Sequence, residues 1–114
     1  MLHAPSNGGK PLIGVSEFEN MRQDVVIVNA ARASLIDTDA FVEALKNGKV
    51  FAAGLDVHDQ EPQYDARLMR FGNVVLTPHN AAISREAINA TSKAAAQNIV
   101  TYFQTGTVEN NKAE

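Results

Sequence analysis

Val25-Val26-Ile27-Val28 is the most restrictive stretch of the sequence: four β-branched residues in succession, closed by Asn29. Branching at Cβ stiffens these side chains and favours extended backbone. The run lacks polar alternation, so it predicts a strand over 25–29 that is covered on both faces, as in a parallel sheet between helices. Two further apolar runs have the same character, Val50 to Val57 and Asn73 to Pro78. Pro78 ends the last, because proline cannot donate to a sheet ladder.

Helical patterns fall between and around these runs. Ser16 to Met21 suits a short helix, with Ser16 as its cap and Glu17 and Glu19 in the first turn. Asp37-Thr38-Asp39 opens a second helix, whose apolar stripe holds Phe41, Val42, Ala44 and Leu45 and whose C-cap is Gly48. The polar stretch from His58 to Gly72 reads as a loop with a helical turn near 64–70. Ser84 to Phe103 predicts one long helix with Ile88, Ala95, Ile99 and Phe103 on one side and Gly106 closing it. The order is helix, strand, helix, strand, strand, helix. That alternation predicts an α/β fold with a parallel sheet.

Several function classes are excluded early. With 114 residues the chain has room for one domain. Its net charge of −3 argues against a general binder of nucleic acid or anionic membrane. Cysteine is absent, so thiolate metal sites and cysteine nucleophiles are excluded. No apolar run reaches the roughly 18 residues of a membrane span, and the expected compartment is the cytoplasm.

Four polar residues follow the ends of the expected strands: Arg32 after the first, Asp56 and Glu61 after the second, His79 after the third. Ligands of open α/β sheets bind at that edge. Each residue also has a plain alternative. Arg32 could be a surface ion-pair partner, or it could clamp a carboxylate through its bidentate fork. Glu61 could be a solvated loop charge. His79 could be a structural histidine, or with a carboxylate beside it a general acid–base. His3 and His58 are weaker candidates, with His58 a loop residue next to the site.

The runs "NAARASLIDTDAFVEAL", "AAGLDVHDQEP" and "NVVLTPHNAA", with the opening "LHAPS", resemble the D-isomer-specific 2-hydroxyacid dehydrogenase family. The resemblance spans Leu2 to about Gly106. It implies a partial doubly wound, Rossmann-like parallel sheet, with residues 1–106 as the C-terminal half of a dinucleotide-binding domain and 107–114 as a frayed tail. It implies Arg32 as the clamp on the substrate carboxylate, His79 as the acid–base and Glu61 as its hydrogen-bonding partner. It also implies NAD as cofactor, with NADP not excluded. Asp56 would meet the nicotinamide, and His3, Pro5, Asn29, Ala30, Ala31 and His79 would line the cofactor cleft. The substrate would be a small 2-hydroxyacid or 2-ketoacid, with no nucleic acid or membrane as partner.

Some positions depart from the family pattern. Ala33 stands where glycine is usual, and His58 where an aromatic residue is common. The stretch from His3 to Met21 is one residue short. The largest departure is that no G-x-G-x-x-G occurs, so the turn that grips the cofactor's pyrophosphate is not in this sequence. Two expectations follow. In the first, the chain is part of a dehydrogenase and is inactive by itself. In the second, it is a non-catalytic folding or interaction module that self-associates as a homo-oligomer through an exposed sheet edge and apolar surface.

Overall fold

The computed structural model describes residues 1–2, 4 and 8–107. The chain divides into two units, Met1–Ala81 and Ala82–Glu114.

The first unit is built on three parallel strands in the order β1 (Val25–Asn29), β2 (Val50–Leu55), β3 (Val74–Leu76). The α/β class and the parallel sheet are those expected from the sequence. Two helices precede and separate the first strands, α1 (Val15–Asn20) and α2 (Thr38–Lys46). Asp37 caps α2 by accepting from the Ala40 amide at 2.9 Å, and Asp39 lies in its first turn, where the helix dipole favours a negative charge.

The cap of α1 differs from expectation. Gly14, not Ser16, is the N-cap, and the Glu17 carboxylate accepts from the Gly14 amide at 2.8 Å. The glutamate within the first turn reaches back to the amide of the N-cap residue itself, and Ser16 lies inside that turn. Two 3-10 turns complete the unit, Ala33–Leu35 and Leu68–Arg70. The first had no counterpart in the sequence reading; the second lies at the end of the expected 64–70 turn.

The core lies between one sheet face and the two helices. Phe41, Leu35 and Val50 are fully buried, and the rings of Phe18 and Phe41 stack 5.9 Å apart. Ile27, Ala53 and Leu55 supply the sheet side. Truncating a buried aromatic such as Phe41 to alanine costs about 3–5 kcal/mol.

The expectation of strands covered on both faces does not hold within this unit. Val26 is 55% exposed, and Val28 and Val75 are exposed beside it. Only α1 and α2 are available here to cover the sheet, and they cover one side.

The second unit holds α3 (Arg85–Thr105). Ser84 caps it by accepting from the Ala87 amide at 3.1 Å. Gly106 ends it at φ 74°, a left-handed conformation that costs glycine nothing. Among the described residues no helix is long and apolar enough to cross a membrane.

Candidate active site

Because the strands are parallel, their C-terminal ends meet at one edge. Asn29 pairs with Leu55, and Leu55 with Leu76. The Asp56 amide donates to the Asn29 carbonyl at 2.9 Å, and the Thr77 amide to the Leu55 carbonyl at 2.9 Å. Asn29, Asp56 and Thr77 are thereby gathered at this edge, with Asp56 and Thr77 one residue beyond the level of Asn29.

The turn after β1 is held from below by Asn29, which is 2% exposed. Its Oδ1 accepts from the Ala31 amide at 3.1 Å, and its Nδ2 donates to the Arg32 carbonyl at 2.8 Å. This pulls the backbone of residues 30–32 into a tight turn and leaves the Arg32 side chain exposed. The guanidinium donates through Nη1 to the Ala31 carbonyl at 2.7 Å. Among the described residues it forms no ion pair, so most of its five donors are open to a ligand.

The turn after β3 is held by Asp56, also buried. Its Oδ1 accepts from the Thr77 hydroxyl and from the Asn80 amide at 2.9 Å. Its Oδ2 accepts from the Ala81 amide at 2.8 Å. Within this wrapped turn His79 has φ 52°, in the left-handed region that a residue with a Cβ adopts at a cost. Burial pushes the Asp56 carboxyl upward, but the hydroxyl and two amide donors outweigh it and hold the group below the usual aspartate range.

His79 projects from this turn onto Glu61. Its Nδ1 lies 3.0 Å from Oε1 and 2.9 Å from Oε2 of that carboxylate. Glu61 is fixed in turn by the His58 amide, which donates to Oε1 at 3.0 Å. The bond to His79, then that from the His58 amide, lowers the Glu61 carboxyl below the usual glutamate range. It is therefore ionised at neutral pH.

His58 does more than fill a place beside the site. Its Nε2 lies 2.8 Å from the Thr77 carbonyl, and its ring meets Tyr64 edge-on at 4.6 Å. One residue thus joins the loop after β2 to the strand end that carries His79. Arg67 secures the far side of that loop, pairing with Asp65 and with Asp39 of α2 at 2.6 Å each.

The sequence-expected residues sort as follows. Glu61 and His79 are in direct contact, and Asp56 holds the turn that bears His79. Asn29 and Ala31 form the turn that bears Arg32, and Ala30 is exposed on it. No hydrogen bond or ion pair links Arg32 to Glu61 or His79 among the described residues. His3 and Pro5 lie outside the described residues, as do residues 108–114 of the expected tail. Thr77 and the amides of Asn80 and Ala81 were not anticipated. The only signal for them was the polar residue just before Pro78-His79. A cavity of about 290 Å³, lined by Ala33, Thr38, His58, Gln60 and Tyr64 among others, lies near this edge. Arg32, Glu61 and His79 do not line it.

Residues 1–81 match the family model described as D-isomer specific 2-hydroxyacid dehydrogenase, NAD binding domain. The chain belongs to this family. The matched residues coincide with the first structural unit. A D-3-phosphoglycerate dehydrogenase of Archaeoglobus fulgidus is 52% identical over 77 residues, 67% of this chain and 15% of that protein. A glyoxylate reductase of Thermococcus litoralis is 35% identical over 102 residues, 89% of this chain and 31% of that protein. Among solved structures, an NADPH-dependent glyoxylate/hydroxypyruvate reductase of Sinorhizobium meliloti, in complex with NADP and malonate, superposes with a TM-score of 0.84 at 31% identity. It covers 95% of this chain and 34% of that one. The chain thus spans about a third or less of the length of these relatives.

Proposed function

We propose that this chain is the part of a D-2-hydroxyacid dehydrogenase that carries the acid–base pair and the carboxylate clamp. Residues 1–106 then form the second half of a dinucleotide-binding domain. The observation that carries the reading is the grip of Glu61 on Nδ1 of His79. A carboxylate can only accept, so Nδ1 bears the hydrogen and Nε2 is left for a substrate. With the ring neutral, Nε2 takes the hydroxyl proton of a 2-hydroxyacid. With the ring charged, it gives that proton to the carbonyl oxygen of a 2-ketoacid.

Arg32 supplies the second function. Its open donors suit a bidentate hold on the substrate carboxylate and stabilise the oxygen where negative charge develops. A bound nicotinamide would supply the hydride chemistry. The residues present fit the reacting end of such a cofactor. A carboxylate has about four acceptor positions, and the bonds to Asp56 occupy three, leaving one on Oδ2 for an amide N–H. Ala30 and Ala31 present only methyl groups at the edge, which leaves room for a flat ring. We assign Asn29, Ala30, Ala31, Asp56 and His79 to this contact, joined by His3 and Pro5. NAD and NADP both suit these residues, since none of them reads the ribose. The substrate class is a small 2-hydroxyacid or 2-ketoacid, and the compartment is the cytoplasm.

The 114-residue chain alone should not turn over. Holding reactants in register accounts for roughly 7–11 kcal/mol of barrier lowering, and the pyrophosphate-gripping glycine turn is not among these residues. The test is an assay of hydroxyacid oxidation with NAD and NADP by the chain alone and by the complete enzyme. Activity is expected only in the complete enzyme, with Arg32→Ala and His79→Ala each lowering kcat/KM at least about 100-fold. Wild-type turnover in both variants would overturn the reading. A second reading, a self-associating module, is favoured by the exposed Val26, Val28 and Val75 face. A dimer in sedimentation supports it, and a compact monomer at tens of micromolar rejects it.

A further inference from the structure

We propose that Asp56 is a positioning residue. By gathering the Thr77 hydroxyl and the Asn80 and Ala81 amides around one carboxylate, it imposes the left-handed backbone of His79 and so sets that ring against Glu61. The role this serves in proton transfer rests on the function proposed above; the mechanical claim does not.

A left-handed conformation at a residue with a Cβ is unfavourable by roughly 1–2 kcal/mol and persists only where surrounding bonds determine it. On either side of His79 the turn is tied to the same side chain. Thr77 precedes it and bonds Oδ1; Asn80 and Ala81 follow it and bond Oδ1 and Oδ2. The His79 amide donates to the Thr77 carbonyl at 3.0 Å, which tightens the loop further. The three anchoring groups are all donors, so only a group with two accepting oxygens can serve them together. Charge-assisted bonds of this kind are about twice as strong as neutral ones. Asp56 is itself anchored, since its amide bonds the Asn29 carbonyl and it leads directly out of β2. The central strand thus fixes a turn on its neighbour, 21 to 25 positions along the chain.

The test uses the 114-residue chain and nuclear magnetic resonance, with the Glu61 side-chain carboxyl as reporter. The titratable groups facing that carboxyl are His79, whose ring contacts it, and His58, whose amide it accepts. In wild type its midpoint lies below the ordinary 4.5 because His79 is held against it. Asp56→Asn keeps the shape but turns an N–H toward a donor. The expected result is that the Glu61 midpoint rises toward the ordinary 4.5, with the His58 amide bond left to hold it below that value, and that contacts between the His79 ring and Glu61 disappear. A purely structural Asp56 would lower the melting temperature and leave both readouts where they were; that result overturns the proposal.

Should Asp56→Asn not fold, Thr77→Val removes one of the three donors at nearly constant volume. It should move the Glu61 midpoint part of the way, and Thr77→Ser should restore it. A midpoint that is the same in Thr77→Val, Thr77→Ser and wild type rejects the proposal. None of these measurements requires turnover, so failure here and failure of the dehydrogenase reading are separate results.

Discussion

The turns after β1 and β3 solve one problem with different side chains. Both place a candidate site residue at the sheet edge, and both are held by a buried residue at a strand end. After β1 the groups to be satisfied are one N–H, of Ala31, and one carbonyl, of Arg32. An amide side chain has one acceptor and one donor, and Asn29 matches them. After β3 the groups are a hydroxyl and two N–H groups, all donors. Only a carboxylate offers enough accepting oxygen there. The choice between asparagine and aspartate at these positions is thus decided by counting donors and acceptors. The same count explains a second contrast. The Asn29 turn keeps Arg32 in an ordinary extended conformation, whereas the Asp56 turn holds His79 in a costly one.

Exchanging the first side chain should break this scheme most severely. Asn29→Asp places a carboxylate oxygen against the Arg32 carbonyl in a buried position, and it should cost about 2–4 kcal/mol at pH 7. A neutral carboxyl, however, again offers one donor and one acceptor. Its folded-state pKa would be raised above the unfolded value. Its support for the fold would then be present below that unfolded value and lost as pH rises through the folded one. The deficit relative to wild type should therefore shrink on acidification, as urea unfolding at pH 7 and pH 4 would show.

The second turn should show the opposite pH dependence. The Asp56 carboxyl is depressed in the folded state. Its contribution is present above the ordinary 3.8 and is lost as pH falls through the depressed value. Asp56→Asn should cost about 1–3 kcal/mol at neutral pH and less in strong acid. A wild-type stability profile that stays parallel to that of the variant below pH 4 would contradict the assignment.

The smallest effect belongs to Arg32. Its carbonyl is used in the turn, while its side chain only meets the neighbouring Ala31 carbonyl. Arg32→Lys should change stability by no more than about 0.5 kcal/mol. Under the function proposed above, the same change should raise KM for the ketoacid in the complete enzyme, because an ammonium cannot form the bidentate fork.

Much of this architecture was legible in the sequence, and the reasons differ by element. Val25–Asn29 was readable to the residue because four β-branched side chains leave little alternative to a strand. The start of α2 was readable because Asp37-Thr38-Asp39 precedes the apolar stripe directly. The cap of α1 was misplaced because the helix begins at Val15, one residue before Ser16, and its cap is a glycine with no side chain to signal it. The exposure of Val26 and Val28 could not be read, because a strand's own residues do not record how many layers lie over it. Arg32, Glu61 and His79 were singled out from strand ends and family motifs, and two of them, Glu61 and His79, lie in contact. What Asp56 does was not legible, since its partners are backbone groups of a turn more than twenty residues away, and backbone amides leave no mark in a sequence.

The flush register of Asn29, Leu55 and Leu76 has a consequence for insertions and deletions. Successive residues of a strand point to opposite faces. Adding one residue to β2 just after Ala52 would turn Asp56 over, bring an apolar neighbour beneath the Thr77–Ala81 turn and swing the core residues Ala53 and Leu55 to the open side. The segment from His58 to Gly72 is under no such parity rule, but it is pinned at Glu61 on His79, at Arg67 on Asp39 and at Leu68 in the core. Single insertions should therefore be absorbed between those pins, or beside Phe51, where β2 already carries one residue more than β1, but not between Ala52 and Asp56.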